Sequence, residues 1–235
     1  PAMTAAQTAT PPAPLPLDTV VARYTAALGP ALRHSTRRVS MRVSGMAPFE
    51  IPVTTEAMRP DLLLKRVTIQ GAVQVTGYDG RDAWRIDPFA SSSGKPVAVP
   101  AGELDDLIEE ADFDGPLVNA AAKGNRLRYL GPQVASVAGR RTPVHAVEVG
   151  FATGRSSVLY IDATSWLEVL RTQTRPVMGR DVNITITPSD YRTVQGVPVP
   201  YLMEIAPEGM PTPIRVMIDA VEFNVAMDRR QFGRP

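Results

Sequence analysis

Cysteine is absent from this chain of 235 residues, and its only histidines are His34 and His145. The lack of cysteine excludes disulfides, thiolate metal sites, cysteine nucleophiles and iron–sulfur clusters. Two histidines are too few for a three-histidine zinc site. The 25 basic residues nearly balance the 24 acidic ones, so the formal charge of +1 provides no bulk attraction to nucleic acid. We therefore expect no metal, no cofactor and no nucleic-acid partner.

Long apolar runs and familiar catalytic motifs are also missing. No stretch approaches the ~20 apolar residues that cross a bilayer, and the start of the chain lacks the basic and apolar segments of a signal peptide. The glycine patterns of nucleotide-binding loops and the Gly-x-Ser-x-Gly motif of hydrolases are absent. A hydrolase built around His145 is therefore a hypothesis without a local signature, and we expect that the protein is not an enzyme.

The first 30 residues predict a tether followed by one amphipathic helix. Residues 1–16 hold five prolines, five alanines and no charge, which predicts a flexible tether before a single domain at 17–235. Apolar residues then recur at helical spacing on one face, with Asp18 at the expected N-cap. The residues of this face are Leu17, Val20, Val21, Tyr24 and Leu28. Gly29-Pro30 is expected to end the helix.

Most of the remaining chain alternates between apolar and polar residues with a period of two, which predicts strands. Short turns such as the one at Asp79-Gly80 join the predicted strands, and short turns require antiparallel neighbours. A further turn is predicted at Gly131-Pro132, and a change of parity predicts a bulge near Asp219. The result is an antiparallel sheet of about eleven strands, and prolines within strand patterns argue against its full closure.

The middle of the chain predicts a loop and two short helices. Residues 90–102, which include the Ser91–Ser93 run, predict a mobile loop, and 103–112 and 116–123 predict helices. The first of these helices carries acidic residues at spacings that could bind a metal or form an acid–base pair. We interpret them instead as a solvated helix face. They are Asp105, Asp106, Glu109 and Glu110.

A curved sheet of this size has more inner surface than its own side chains need to fill, because barrels beyond about eight strands enclose a cavity. Three short helices would cover that surface only in part, and methionines within strands suit variable apolar ligands. We therefore predict an apolar cavity that binds a hydrophobic ligand. From the alternation alone, the expected lining residues are Met41, Val43, Trp84, Ile86, Val147, Leu159, Ile184, Met203 and Val216.

Several segments, taken in order, resemble the periplasmic lipoprotein carriers of the LolA/LolB type, the outer-membrane lipoprotein-sorting proteins. The resemblance covers the chain from about Leu17 to Pro235. It is carried by DTVVARYTAALG, Arg59-Pro60, QGAVQVTGYDGRDAWRIDPF, ADFDGPLVNAAAKGNRLRYLG, YIDATSWLEVLR, DYRTVQGVPVPYLMEI and VEFNVAMDRRQF. No single segment is specific; their order and spacing together carry the resemblance.

The resemblance implies an incomplete antiparallel β-barrel of about eleven strands, with an N-terminal helix and two short central helices that lid a hydrophobic cavity. It further implies a soluble periplasmic carrier, exported by a signal peptide that is not part of this sequence. Such a carrier would be a monomer that takes lipid or lipoprotein acyl chains from an inner-membrane donor to an outer-membrane acceptor. The lipid-anchored receptor of this type carries a cysteine, which is absent here.

Two points stay open at this stage. Carriers of this type have an inward arginine on the first strand that holds the lid, and Arg37, Arg38 and Arg42 are all candidates. A related fold serves as an envelope sensor that regulates a membrane-protein partner, which is the alternative function.

Overall fold

The computed structural model describes residues 9–90, 94–112, 114–177 and 179–235. The first eight residues of the predicted tether, the Ser91–Ser93 run, Phe113 and Met178 lie outside the described residues. Residues 9–16 form neither helix nor strand, although Leu15 packs against the first helix and its neighbours.

Thirteen strands and two α-helices are present in the part of the chain that the structure describes. The strands are β1 (Thr36–Ser44), β2 (Ile51–Met58), β3 (Leu62–Ile69), β4 (Ala72–Tyr78), β5 (Ala83–Ile86), β6 (Val97–Ala98), β7 (Arg126–Val137), β8 (Arg140–Gly150), β9 (Ser156–Asp162), β10 (Glu168–Val177), β11 (Arg180–Val194), β12 (Val197–Pro207) and β13 (Ile214–Phe223). The α-helices are α1 (Leu17–Ala27) and α2 (Ala101–Ala111), and short 3-10 helices span Gly29–Arg33, Ala120–Lys123 and Arg229–Phe232.

The strands form one antiparallel sheet in the order β6-β5-β4-β3-β2-β1-β13-β12-β11-β10-β9-β8-β7. Neighbours in the chain are neighbours in the sheet, except that β13 returns to pair with β1 and β7 ends the far edge. The two ends of the order, β6 and β7, do not pair, so the sheet stays open. The predicted incomplete antiparallel barrel is therefore confirmed, with thirteen strands rather than eleven.

Two differences from the predicted strands have local causes. The short strand β6 lies within the stretch predicted as a loop and pairs with β5 through Trp84 and Arg85. The predicted turn at Gly131-Pro132 is wrong, because β7 continues through it to Val137. The register shifts at Gly131, which adopts a φ of 96°. The resulting bulge allows β7 to continue its pairing with β8.

The predicted bulge near Asp219 is confirmed. Ser40 pairs with Ala220 whereas Met41 pairs with Ile218, so Asp219 is the extra residue of β13. The second central helix is shorter than predicted. Only Ala120–Lys123 is helical, and it is a single 3-10 turn because left-handed residues stand at both of its ends.

Helix α1 covers the β7–β9 end of the sheet. Its apolar face is the one predicted from the spacing, and Val20 and Tyr24 are buried. The N-cap position belongs to Pro16, and Asp18 lies in the first turn. The sheet residues beneath this helix are fully buried and belong to strands β8 and β9. They are Val147, Val149, Leu159 and Ile161.

Helix α2 covers the other side of the same face. Leu107 and Ala111 pack against Ala57 of β2, Leu63 of β3 and Tyr78 of β4. The opposite face of β3 and β5 is covered by the C-terminal segment instead. Within the described ranges, neither α-helix has the length and apolar character needed to span a bilayer.

Candidate functional site

An apolar cavity of about 560 Å³ lies between the areas that α1 and α2 cover. Its floor is the middle of the sheet, where the strand order runs β3, β2, β1, β13, β12. Alternate residues from Val39 to Val43 line it on β1, and Val216, Ile218, Val221 and Phe223 line it on β13. This volume is within the range of roughly 300–1,000 Å³ that is typical of small-molecule sites.

The bulge at Asp219 explains how β13 keeps its apolar residues on this face. In a regular strand, residues 218 and 221 would point to opposite faces because side chains alternate. The extra residue restores the alignment, so that Val39 lies opposite Val221 and Met41 lies opposite Ile218. The change of parity in the sequence therefore keeps the apolar residues of β13 on the face that lines the cavity.

The two prolines of β12 lie where this strand leaves its neighbour β13. The two strands pair only from Leu202 to Ile205 of β12. Pro198 and Pro200 precede that stretch, line the cavity, and pair with β11 only. Because proline has no amide hydrogen to donate, it is tolerated where the ladder is incomplete. The separation of the strands widens the floor of the cavity.

Charged side chains line the cavity toward both helices. Lys65 Nζ lies 2.9 Å from Oε2 of Glu110 on α2, and both residues line the cavity. Arg171 Nη2 pairs with Glu168 Oε2 at 2.8 Å on the α1 side. Burial opposes the charge of Arg171, but the adjacent Glu168 carboxylate outweighs it and raises the pKa of this guanidinium. Arg171 therefore stays charged at the cavity wall.

One end of the cavity is covered by a clamp around Arg59. Arg59 Nε donates to the carbonyl oxygen of His34 at 2.6 Å, and Nη2 donates to that of Ala31 at 3.2 Å. Its Nη1 and Nη2 also donate to the two carboxylate oxygens of Asp114 at 2.6 and 2.5 Å. Ala31 and Asp114 both line the cavity. The clamp therefore joins the 3-10 helix after α1 to the segment after α2 at this end.

The three candidate arginines of β1 lie on different faces of the sheet. Arg38 pairs with Glu56 at 2.8 Å, and Arg42 pairs with Asp219 at 2.9 Å, both on the face away from the cavity. Arg37 lines the cavity. Burial lowers the pKa of Arg37, and the negative charges of Glu110 and Asp114 oppose this effect.

The acidic residues of α2 form the solvated face that the sequence suggested only in part, because Asp106 is exposed whereas Glu109 is largely buried. Glu109 Oε2 lies 2.5 Å from Nη2 of Arg175 on β10, and both side chains are largely buried. Arg155, in the loop between β8 and β9, pairs with Asp105 at 3.4 Å and with Asp106. These ion pairs, together with the one between Lys65 and Glu110, attach α2 to strands on both of its sides. Among the described residues, no group of three or more acidic or histidine side chains could hold a metal.

Four of the nine residues predicted to line the cavity do so. They are Met41, Val43, Met203 and Val216. Val147 and Leu159 share the face but are fully buried beneath α1. Ile184 lies on β11 opposite Gln173 of β10, outside the lining.

Trp84 and Ile86 do not line the cavity, because they lie on the opposite face of the sheet. Trp84 packs with Leu62, Leu64 and Phe232, and its Nε1 donates to the Phe232 carbonyl oxygen at 2.8 Å. Ile86 packs against the same cluster. The apolar cavity residues of the sheet that the sequence analysis missed lie mainly on β12 and β13, with single positions on β1, β2 and β3. They are Val197, Pro198, Val199, Pro200, Ile205, Ile218, Val221, Phe223, Val39, Val53 and Leu63.

His145 lies beneath α1, away from the cavity. Its Nδ1 is 2.7 Å from the hydroxyl oxygen of Tyr129, and its ring stacks on Trp166 with the centroids 5.1 Å apart. Burial and the nearby Arg23 lower the pKa of His145. The ring is thus held neutral in a packed environment, and its described hydrogen bond joins it to a phenol rather than to a serine and a carboxylate.

No protein-family model matches this sequence, and a search of the curated proteins finds no significant match. Solved structures match over nearly the whole chain. A LolA superfamily protein of Nitrosomonas europaea has a TM-score of 0.66 at 12% identity and covers 93% of this chain and 98% of its own. A DUF1329 family protein of Desulfovibrio piger has a TM-score of 0.64 at 10% identity, with coverages of 93% and 97%.

A third structure, a domain of Vibrio parahaemolyticus described as an outer membrane lipoprotein-sorting protein, has a TM-score of 0.60 at 10% identity. It covers 91% of this chain and 94% of its own. At these identities the match concerns the fold. The three matches agree with the open sheet and its two helices on one face. The chain therefore has the LolA-like fold.

Proposed function

We propose that this protein is a carrier that binds the acyl chains of lipids or lipoproteins in the central cavity. The observation that supports the proposal is the cavity itself, whose lining is mainly aliphatic and includes a few charged side chains such as Arg37, Lys65 and Arg171. It contains no described nucleophile–base pair, and an enzymatic role has no support from its chemistry. As a carrier, the protein moves its ligand through the periplasm toward the outer membrane as a soluble monomer, between an inner-membrane donor and an outer-membrane acceptor.

Burial of the ligand supplies the affinity. Each methylene group transferred from water contributes roughly 0.8 kcal/mol, so a chain of sixteen carbons contributes on the order of 10 kcal/mol before the cost of association. The methionines of the floor, Met41 and Met203, adapt to chains of different shape because their side chains are flexible.

Helix α2, which covers one side of the cavity, is attached in a way that suits opening. Helix α2 buries only Leu107 and Ala111, with Leu104 and Ile108 partly buried beside them, and ion pairs supply much of the remaining attachment. Arg37 is the inward arginine of the first strand in this proposal, because it alone of the three candidates lines the cavity. Its position near Glu110 and Asp114 places it where it stabilises the closed cover.

Two matched variants test the proposal. Met203 lines the cavity on β12, and Met217 on β13 is also partly buried but points to the other face, beside Arg42. Met203→Gln places an amide in the cavity and is expected to weaken the displacement of a fluorescent fatty acid at least tenfold. Met217→Gln makes the same chemical change outside the cavity and should bind as the wild type does.

Native mass spectrometry of protein purified from cells provides the independent measurement. We expect a population with the added mass of a lipid in the wild type, and a reduced population in Met203→Gln. Failure of the wild type to bind any amphiphile in either assay contradicts the carrier function. Equal effects of the two glutamine variants would place the ligand outside this cavity.

A further inference from the structure

Large apolar side chains are exposed on two loops that meet at one end of the sheet. The loop between β1 and β2 exposes Met46 and Phe49 by 65% and 39%, and the loop between β12 and β13 exposes Met210 by 46%. The two backbones are in contact, because a Cβ added at Gly45 would lie 2.7 Å from the carbonyl oxygen of Pro213. We refer to residues 45–49 and 209–213 as the apolar tip.

The apolar tip contains no charged residue. Below it, on the face away from the cavity, Arg42 pairs with Glu50 at 2.8 Å, and Arg215 pairs with Glu204 at 2.9 Å. The charge of each arginine is therefore balanced by a carboxylate of the protein, although the side chains are 44% and 57% exposed. The charge around the tip provides no attraction to an anionic surface, which leaves apolar burial as the driving force.

The apolar lining of the cavity leads directly to this tip. Val43 is two residues before Gly45 on β1, and Val216 is three residues after Pro213 on β13; both line the cavity. The opposite end of the cavity is the one covered by the Arg59 clamp. A hydrocarbon chain that leaves the cavity along β1 and β13 therefore emerges beside the exposed methionines and phenylalanine.

The turns at the other end of the sheet have a different character. They connect other pairs of neighbouring strands and consist of small, polar and charged residues, apart from the partly buried Trp166 and Leu167. These turns are 79–82, 138–139, 163–167 and 195–196. The contrast between the two ends shows that apolar exposure at the tip is specific to one end of the sheet.

We propose that the apolar tip inserts into the headgroup region of a lipid bilayer and docks the cavity against the membrane. The inference rests on the proposed carrier function and adds the surface at which the ligand enters or leaves. With the tip inserted, an acyl chain passes between bilayer and cavity without crossing water. Amphipathic protein surfaces bind membranes in this way by burying a few apolar side chains at the boundary between headgroups and acyl chains.

A bilayer suits the tip better than a protein partner does. Stable protein interfaces bury about 800 Å² on each partner and carry a polar rim with several hydrogen bonds. Two short loops with three large apolar side chains provide less surface than this, and the charged residues at their ends, Glu50 and Glu208, already bind Arg42 and Asn183 within the protein. A fluid bilayer requires only that apolar side chains be buried.

Vesicle binding of the full chain tests the inference. Wild-type protein is mixed with vesicles of phosphatidylcholine alone, or with 30% phosphatidylglycerol added, and the bound fraction is measured by flotation. We expect binding to phosphatidylcholine vesicles that does not increase with the anionic lipid. Met46→Ser, Phe49→Ser and Met210→Ser combined should lower the partition coefficient at least tenfold.

A matched control and a direct reporter accompany this variant. Val97→Ser removes another exposed apolar side chain, on the edge strand β6, and should leave vesicle binding unchanged. Phe49→Trp places a fluorophore at the tip, and its emission should shift to shorter wavelength with vesicles and be quenched by brominated lipid. Val97→Trp should show neither effect.

The outcomes separate this inference from the carrier function. Displacement of a fluorescent fatty acid, measured without vesicles, should be the same in the triple serine variant and the wild type. If the wild type binds fatty acid but floats with neither kind of vesicle, the docking inference is overturned and the carrier function is not. A protein partner would then be the occupant of the tip. Binding that appears only with anionic lipid, or that survives in the triple variant, overturns it as well. Loss of fatty-acid binding in the wild type itself contradicts the carrier function.

Discussion

Replacing Glu109 by leucine should destabilise the protein because it leaves a buried guanidinium without its carboxylate. The side chain of Arg175 is 8% exposed and that of Glu109 is 15% exposed, with 2.5 Å between Nη2 and Oε2. Without Glu109, Arg175 keeps a hydrogen bond to Gln173 Oε1 at 3.0 Å and weaker ones to backbone carbonyls. These acceptors are neutral and cannot offset a buried charge.

Breaking a buried ion pair by removing one partner costs about 3–5 kcal/mol. The lower end of that range applies here, because the Asp106 carboxylate lies 3.9 Å from Arg175 Nε and supplies part of the lost attraction. We expect Glu109→Leu to lower the free energy of unfolding by about 3 kcal/mol.

Arg175→Met should cost less, about 1–2 kcal/mol, because a carboxyl group can become neutral whereas a guanidinium cannot. Burial already raises the pKa of Glu109, against the opposing charges of Arg175 and Arg155. Without Arg175 the pKa rises further. A carboxyl whose pKa is higher in the folded state stabilises the fold below its unfolded pKa and loses that contribution as the pH rises through the folded pKa. The cost of Arg175→Met should therefore shrink as the pH falls from 7.5 toward 5.

The double variant Glu109→Leu/Arg175→Met should lie within about 1 kcal/mol of the wild type, because apolar residues of similar volume often replace a buried pair without loss. Urea unfolding followed by tryptophan fluorescence gives the four free energies, and hydrogen exchange of the α2 amides shows whether the loss is local to this helix. Additive effects of the two substitutions, or a larger cost for Arg175→Met than for Glu109→Leu, would refute the reasoning.

Three further predictions concern stability. The free energy of unfolding of the wild type should fall as the pH drops below the unfolded histidine pKa of about 6.5, because burial lowers the folded pKa of His145 and the charge of Arg23 adds to the effect. Urea unfolding at pH 7.5 and 5.5 should show a smaller fall in this free energy for His145→Gln than for the wild type. Leu117→Ala removes a side chain with 0% exposure beneath α1 and should cost about 2–5 kcal/mol, measured by the same unfolding assay. Trp84→Phe removes the hydrogen bond to the Phe232 carbonyl and should cost about 1–2 kcal/mol, with faster hydrogen exchange at the C terminus.

The alternation of apolar residues predicted the strands well, because each strand of an open sheet must present one face to a core. The change of parity in β13 was sufficient to locate the bulge at Asp219. Alternation does not show which part of the chain covers each face of the sheet. Trp84 and Ile86 alternate as regularly as Met41 and Val43 do, yet they face the C-terminal segment, whose Phe232 is 148 residues from Trp84.

The attachment of α2 was beyond prediction for the same reason. The acidic residues on its surface have the spacing of a solvated helix face, and nothing nearby in the sequence marks them as paired. Glu109 meets Arg175 across 66 residues, and Lys65 meets Glu110 across 45. Only the curvature of the sheet, which brings β3 and β10 to opposite sides of one helix, creates these pairs.

The same curvature explains why the cavity lies over the middle of the sheet. Helix α1 has one apolar face and fills the space above β7–β9, and α2 fills the space above β2–β4. Among the strands between them, β1, β13 and β12 keep their apolar side chains on the same face but have no long helix of their own to cover them. The separation of β12 from β13 at Pro198 and Pro200 increases the uncovered area further. A substitution that fills this gap, such as Val199→Trp, should therefore stabilise the empty protein and reduce its capacity for fatty acid; a variant that gains stability while binding fatty acid normally would show that the gap and the ligand site are separate.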